Sequence, residues 1–143
     1  MKILTLEHFL DTPDFHRVID TINNSSSTDK ITLKLKNNTG GLLNLGETLL
    51  LALIKCKSQV TFVAEERVIS TAAYVWMQVY LNKSDSLFSN ILPTVDKGLA
   101  LFIYHRPKAE ENGVPKFIEE LINKDLIEKF LPDVKASDKC LAL

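Results

Sequence analysis

The chain has 143 residues and a mass of 16.1 kDa, the size of a single domain. Apolar residues make up 45% and charged residues 24%, and 17 basic residues nearly balance 18 acidic ones for a net charge of −1. That balance excludes a disordered or collagen-like chain and is wrong for a protein held mainly by nucleic-acid phosphates.

No nucleic-acid partner and no membrane are expected. The longest apolar run, 42–54, is broken by Asn44, Gly46, Glu47 and Thr48 and is too short for a membrane span. The first eight residues meet Glu7 and His8 too early to form a signal-peptide core. Cys56 and Cys140 lie 84 residues apart and neither belongs to a CxxC pair, which suits free thiols in a reducing compartment. The expectation is a cytoplasmic single domain over 1–143. The last four residues, Cys140-Leu141-Ala142-Leu143, fit a prenylation box, but without a basic stretch upstream. A tail that packs on the body or frays is the competing reading.

In chain order, Thr12-Pro13-Asp14 gives an N-cap, a proline at the first helical position and an acid in the first turn. The helix it opens carries Phe15, Val18, Ile19 and Ile22 on one face. A polar connection over 23–29 leads to Ile31–Lys36, whose strict alternation predicts a strand with one buried face. Asn37-Asn38-Thr39-Gly40-Gly41 ends it with residues that tolerate positive φ. A leucine-rich helix is predicted over 46–55, a strand over 59–64 and a helix over 70–81 with Ser70 at its cap. The stretch 84–97, with Pro93, reads as loop plus a short element. A third apolar strand follows over 99–104, and Pro115 to Phe130 reads as an amphipathic helix ended by Pro132. Strands separated by helices make an α/β fold with a mostly parallel sheet and crossover helices.

In such sheets chemistry collects at the carboxyl ends of the strands. Here one strand ends in Gly40-Gly41, one leads to Ser70 and one ends in His105-Arg106-Pro107. A serine hydroxyl becomes a nucleophile when a base such as histidine takes its proton. A glycine turn with exposed backbone N–H groups can form an oxyanion hole.

The pattern resembles the proteolytic subunit of the Clp protease (ClpP), within the Clp/crotonase superfold. The family runs strand, Asn-Ser-Pro-Gly-Gly, a further glycine, helix, strand, then a small-residue turn around the nucleophilic serine. Here those places read Asn37-Asn38-Thr39-Gly40-Gly41, Gly46 and Val68-Ile69-Ser70-Thr71-Ala72-Ala73, with intervals of 5 from Gly41 to Gly46 and 24 from Gly46 to Ser70. Ile103-Tyr104-His105-Arg106-Pro107 stands where the family has its hydrophobic-His-Gln-Pro segment. The likeness covers 13–107, and 108–143 diverges.

The resemblance implies a β-β-α-type spiral fold and a serine peptidase, with Ser70 as nucleophile and His105 as general base. It also implies an oxyanion hole from the backbone N–H groups of Gly41 and Thr71. The family's aspartate would fall beyond residue 143, so Asp125 is the candidate third member, with Asp133 behind it. A homo-oligomeric ring, peptide or unfolded-protein substrates and an unfoldase that delivers them are implied as well. No cofactor and no metal are expected, because His8 and His16 lack a Cys or acidic pair at zinc-ligand spacing.

Several residues depart from the family. Glu66 stands at its glycine, Val68 and Ile69 replace small side chains, and Lys108–Gly113 replaces its glycine-rich strand. Those departures support a second reading, a catalytically degenerate scaffold, adaptor or inhibitor acting through oligomerisation or partner binding. Each site residue also has a plain structural reading. Ser70 could be a helix cap, His105 a structural strand-end histidine, and Trp76 and Tyr80 packing residues. A crotonase-like acyl-CoA enzyme is disfavoured by the short chain and the His-x-Pro segment.

Overall fold

The computed structural model describes residues 1–103, 108–111, 114–117 and 140–142. The order is β1 (Lys2–Leu6), α1 (Pro13–Asn23), β2 (Lys30–Asn38), α2 (Leu43–Lys55), β3 (Gln59–Ile69), α3 (Thr71–Leu81) and a 3-10 turn (Ser86–Phe88). Then come β4 (Ile91–Ile103), β5 (Lys108–Glu111), β6 (Val114–Phe117) and β7 (Cys140–Ala142).

The main sheet has the order β1-β2-β3-β4-β7, with β1 to β4 parallel and β7 antiparallel. Its core follows from alternation. Ile31, Leu33 and Leu35 of β2 and Val60, Phe62 and Ala64 of β3 are buried on one face, against α1, α2 and α3 packed side by side. The intervening Thr32, Lys34 and Thr61 stay half-buried. On that face Glu65 takes Lys34 and Lys36 as ion-pair partners at 3.8 and 3.6 Å.

The expected α/β class is the observed one, with three differences of detail. The N-terminal strand β1 was not anticipated. Its five residues gain their place from parallel pairing with Ile31–Leu35, which no local pattern encodes. The stretch 91–97 is strand rather than loop, despite Pro93. Val60 N–H donates to Asn90 O at 2.9 Å, so ahead of the register shift Leu92 and Thr94 turn their backbone groups toward β3. Pro93, with no N–H to give, therefore turns its nitrogen to the open side.

The helix expected from Pro115 is also corrected. Val114–Phe117 is a strand paired with Lys108–Glu111, with Glu111 opposite Val114. The two residues between them in sequence are Asn112-Gly113, a dipeptide favoured in two-residue hairpin connections. The remainder of that predicted helix lies outside the described residues. At the C-terminal tail, Cys140–Ala142 pairs antiparallel with Leu101–Ile103. Among the described residues, no helix is long and apolar enough to cross a membrane.

Candidate functional site

Three segments converge at the carboxyl edge of the parallel strands. The first is the loop after β2. Its register slips between Lys36 and Asn38, where Asn37 takes a positive φ of 48° and its Oδ1 accepts from Arg67 Nε at 2.9 Å. The slip carries Asn38 into the interior, fully buried. Its Nδ2 donates to Leu6 O at 2.9 Å, and its Oδ1 accepts from Gly40 N–H at 2.8 Å.

The second segment is the chain just past β1, which zips onto that loop. Thr39 N–H donates to Glu7 O at 3.0 Å, Phe9 N–H to Gly40 O at 2.7 Å and Leu42 N–H to Phe9 O at 2.9 Å. These bonds fix the Gly40–Gly41 peptide plane. In a trans peptide the N–H points opposite to the C=O. With Gly40 O committed to Phe9, the Gly41 N–H is turned away from β1 and toward β3. Among the described residues nothing accepts it, and Gly41 is exposed.

The third segment is the junction of β3 and α3, where Ser70 alone separates strand from helix. Its φ of 57° and ψ of −123° lie in a region that L-residues occupy only under constraint. The constraint is visible in the bonds around it. Ser70 N–H donates to Ile103 O at 2.7 Å, and Tyr74 N–H donates to Ser70 O at 3.0 Å.

The plain cap reading of Ser70 fails on comparison with Thr12 of the same chain. Thr12 sits at φ −125° and ψ 157° with its side chain accepting from Phe15 N–H, as a capping residue does. Ser70 has the opposite φ sign, and its side chain makes no capping bond. Thr12→Ala is therefore expected to cost about 1 kcal/mol. Ser70→Gly, which relieves the strained backbone, is expected to gain about 1 kcal/mol. Urea titration of both variants checks the pair.

Glycine is required where the loop meets this turn. A Cβ on Gly40 would come within 2.6 Å of Ile69 O, 2.9 Å of Ser70 Cβ and 3.1 Å of Thr71 N. Thr71 Oγ1 donates to Gly41 O at 2.8 Å, so the two residues expected to supply oxyanion donors are tied together. As the first residue of α3, Thr71 has an N–H with no acceptor inside the helix. Gly46 serves packing, since a Cβ there would lie 2.7 Å from Thr71 Cγ2. Next to it, Glu47 holds its proton to higher pH than an ordinary glutamate because it is partly buried.

Of the predicted site residues, Ser70, Gly41 and Thr71 are brought to one place. His105 and Asp125 lie outside the described residues, as does Asp133. Glu66, one of the departures from the family pattern, is exposed and occupies φ 64° at the bulge where β3 shifts register against β4. A glycine would hold that angle without strain. Glu66→Gly is expected to raise stability by about 0.5–1 kcal/mol, the relief of positive φ less the added freedom of the unfolded chain. A melting temperature higher by a few degrees would show it. A shallow cleft of about 440 Å³, lined in part by Lys2, His16, Arg17 and Asp20, opens beside the amino end of β1 and takes no part in this edge.

Asn38 and Phe9 were not singled out from sequence. Asn38-x-Gly40 carried a usable signal, since an Asn side chain often accepts the N–H two residues on. Nothing local announced Phe9.

Comparison with known proteins gives a match at the level of fold. No family model matches the sequence, and no curated protein matches it. Among solved structures, the chain is similar to the ClpP protease catalytic domain from Plasmodium falciparum, with a TM-score of 0.56 and 15% identity. The match covers 99% of this chain and 76% of that one. The fold is ClpP-like. At that identity the likeness concerns the scaffold, and the chemistry must be argued from this chain's own residues.

Proposed function

We propose that the protein is a ClpP-like serine peptidase that cleaves peptide bonds by acyl transfer. The observation that carries this reading is the backbone of Ser70, held at φ 57° and ψ −123° between strand and helix. Such a turn lifts a hydroxyl out of the sheet edge and costs stability that no capping bond recovers.

In this reading Ser70 Oγ attacks the carbonyl carbon while His105 takes its proton. The developing oxyanion accepts from the N–H groups of Gly41 and Thr71, aided by the positive end of α3. His105 then passes the proton to the departing amine, and water releases the acyl group by the reverse sequence. Asp125 is the candidate that orients His105. No cofactor enters the scheme.

Self-association belongs to the same proposal, in a cytoplasmic setting with an unfoldase supplying substrate. Leu81, Leu87, Leu92, Leu101 and Ile103 are exposed apolar residues on α3, the 3-10 turn and β4. The scaffold reading draws on Ile69, half-buried next to the nucleophile where the family has a small residue. Turnover of fluorogenic peptides and p-nitrophenyl esters tests the first reading against the second. Wild type should turn over, with Ser70→Ala and His105→Ala each slower by about 10³-fold or more. A folded wild type without turnover, or turnover that survives Ser70→Ala, favours the scaffold.

A further inference from the structure

We propose that Asn38 is a positioning residue for the oxyanion hole, an inference that rests on the reading of Ser70 as an acyl-transfer nucleophile. A buried carboxamide is costly unless both its donor and its acceptor are used. Asn38 uses both, and on two different elements: Leu6 at the end of β1, and Gly40 in the loop.

The consequence falls on the next residue. Gly40 has two backbone groups that could satisfy a passing ligand, and both are committed, its N–H to Asn38 and its C=O to Phe9. What the loop has left to offer is the Gly41 N–H, already turned toward the Ser70 junction. Gly40 at φ 83° and Gly41 at φ 147° have no side chains to hold those angles. Phe9 N–H holds the Gly40–Gly41 plane at its carbonyl, and if the preceding Thr39–Gly40 plane were free to turn, the Gly41 donor would be held less firmly. The carboxamide fixes that preceding plane through the Gly40 N–H, from inside the sheet, where solvent does not compete. Asn38 touches neither substrate nor the reacting atoms, so its effect passes through Gly40 and Gly41.

Two reactions at position 70 separate this role from general support of the fold. Phosphonylation of Ser70 by a fluorophosphonate places a phosphoryl oxygen in the oxyanion hole. Alkylation of the Ser70→Cys protein by iodoacetamide displaces iodide at carbon and makes no such demand. Asn38→Ala is expected to slow phosphonylation by about 100-fold, the scale of one lost oxyanion donor. In the Ser70→Cys background the same substitution should leave alkylation within about threefold, since the nucleophile itself is undisturbed.

Asn38→Ser keeps an acceptor two residues before Gly40 and should recover phosphonylation to within about tenfold of wild type. It also provides the measurement if Asn38→Ala does not fold. Equal slowing of both reactions in a folded variant would overturn the proposal, as would phosphonylation unchanged in Asn38→Ala. A wild type that takes no phosphonate overturns the Ser70 reading, and the role of Asn38 with it. A wild type that reacts, with variants that react equally fast, overturns the role of Asn38 alone.

Discussion

Gly41→Ala is expected to lower unfolding stability by about 3 kcal/mol and to abolish the reaction of Ser70 with acylating and phosphonylating reagents. A Cβ built on Gly41 would lie 2.1 Å from Phe9 O and 2.7 Å from Phe9 C. Those are backbone atoms, with no flexible side chain to swing aside. The φ of 147° also lies where an L side chain is strained whatever the space. Relief requires pulling the loop off the chain past β1, which breaks the bonds from Phe9 N–H to Gly40 O and from Leu42 N–H to Phe9 O. The Gly40–Gly41 plane then loses its orientation, and the donor aimed at the Ser70 junction goes with it. Thermal unfolding should fall by about 10 °C for a chain of this size. An alanine variant that melts within 2 °C of wild type would contradict the packing argument, on the usual scale of ~2–8 °C per kcal/mol.

Trp76→Ala should have a still larger effect on stability and a small one on chemistry. Trp76 is fully buried, 4.8 Å from the ring of Phe102 and stacked on Tyr80 at 5.2 Å with planes 13° apart. Its Nε1–H donates to Phe62 O at 3.1 Å, which ties α3 to the middle of β3. Truncation leaves a cavity against two strands and removes that bond, and about 4 kcal/mol is the expected cost. Trp76→Phe retains most of the ring contact and should cost about half as much. Trp76 lies six residues after Ser70, facing the sheet, while the site sits at the helix start. Below its melting temperature, the alanine variant should therefore react at Ser70 within a few-fold of wild type. Denaturation followed by circular dichroism, with phosphonylation measured at 15 °C (about the temperature of greatest stability), separates the two effects. Stability within about 1 kcal/mol of wild type would contradict the account of the core.

The two glycines and the serine were legible because each marks a change of element. Paired glycines after an alternating strand announce a turn, and a serine between an apolar strand and a helix announces a junction. The helix from Pro13 was legible for the same kind of reason, since Thr12, Pro13 and Asp14 state its start within three residues. What local sequence could not convey was pairing over long range. β1 is five residues whose strand character comes from lying beside Ile31–Leu35, and the roles of Asn38 and Phe9 depend on that pairing. Pro93 argued against a strand and was tolerated because its nitrogen faces away from β3. The conformation of Ser70 lay outside what residue type can tell, for serine is common at ordinary caps. Only the contrast with Thr12 shows that the hydroxyl is not a cap.

Reaction of the intact chain with a fluorophosphonate, followed by intact mass and mapping of the modified peptide, is the most direct test. The predicted result is a single adduct on Ser70, absent from Ser70→Ala and formed far more slowly in His105→Ala. A folded, monodisperse wild type that takes no adduct, or an adduct that persists in Ser70→Ala, would contradict the account.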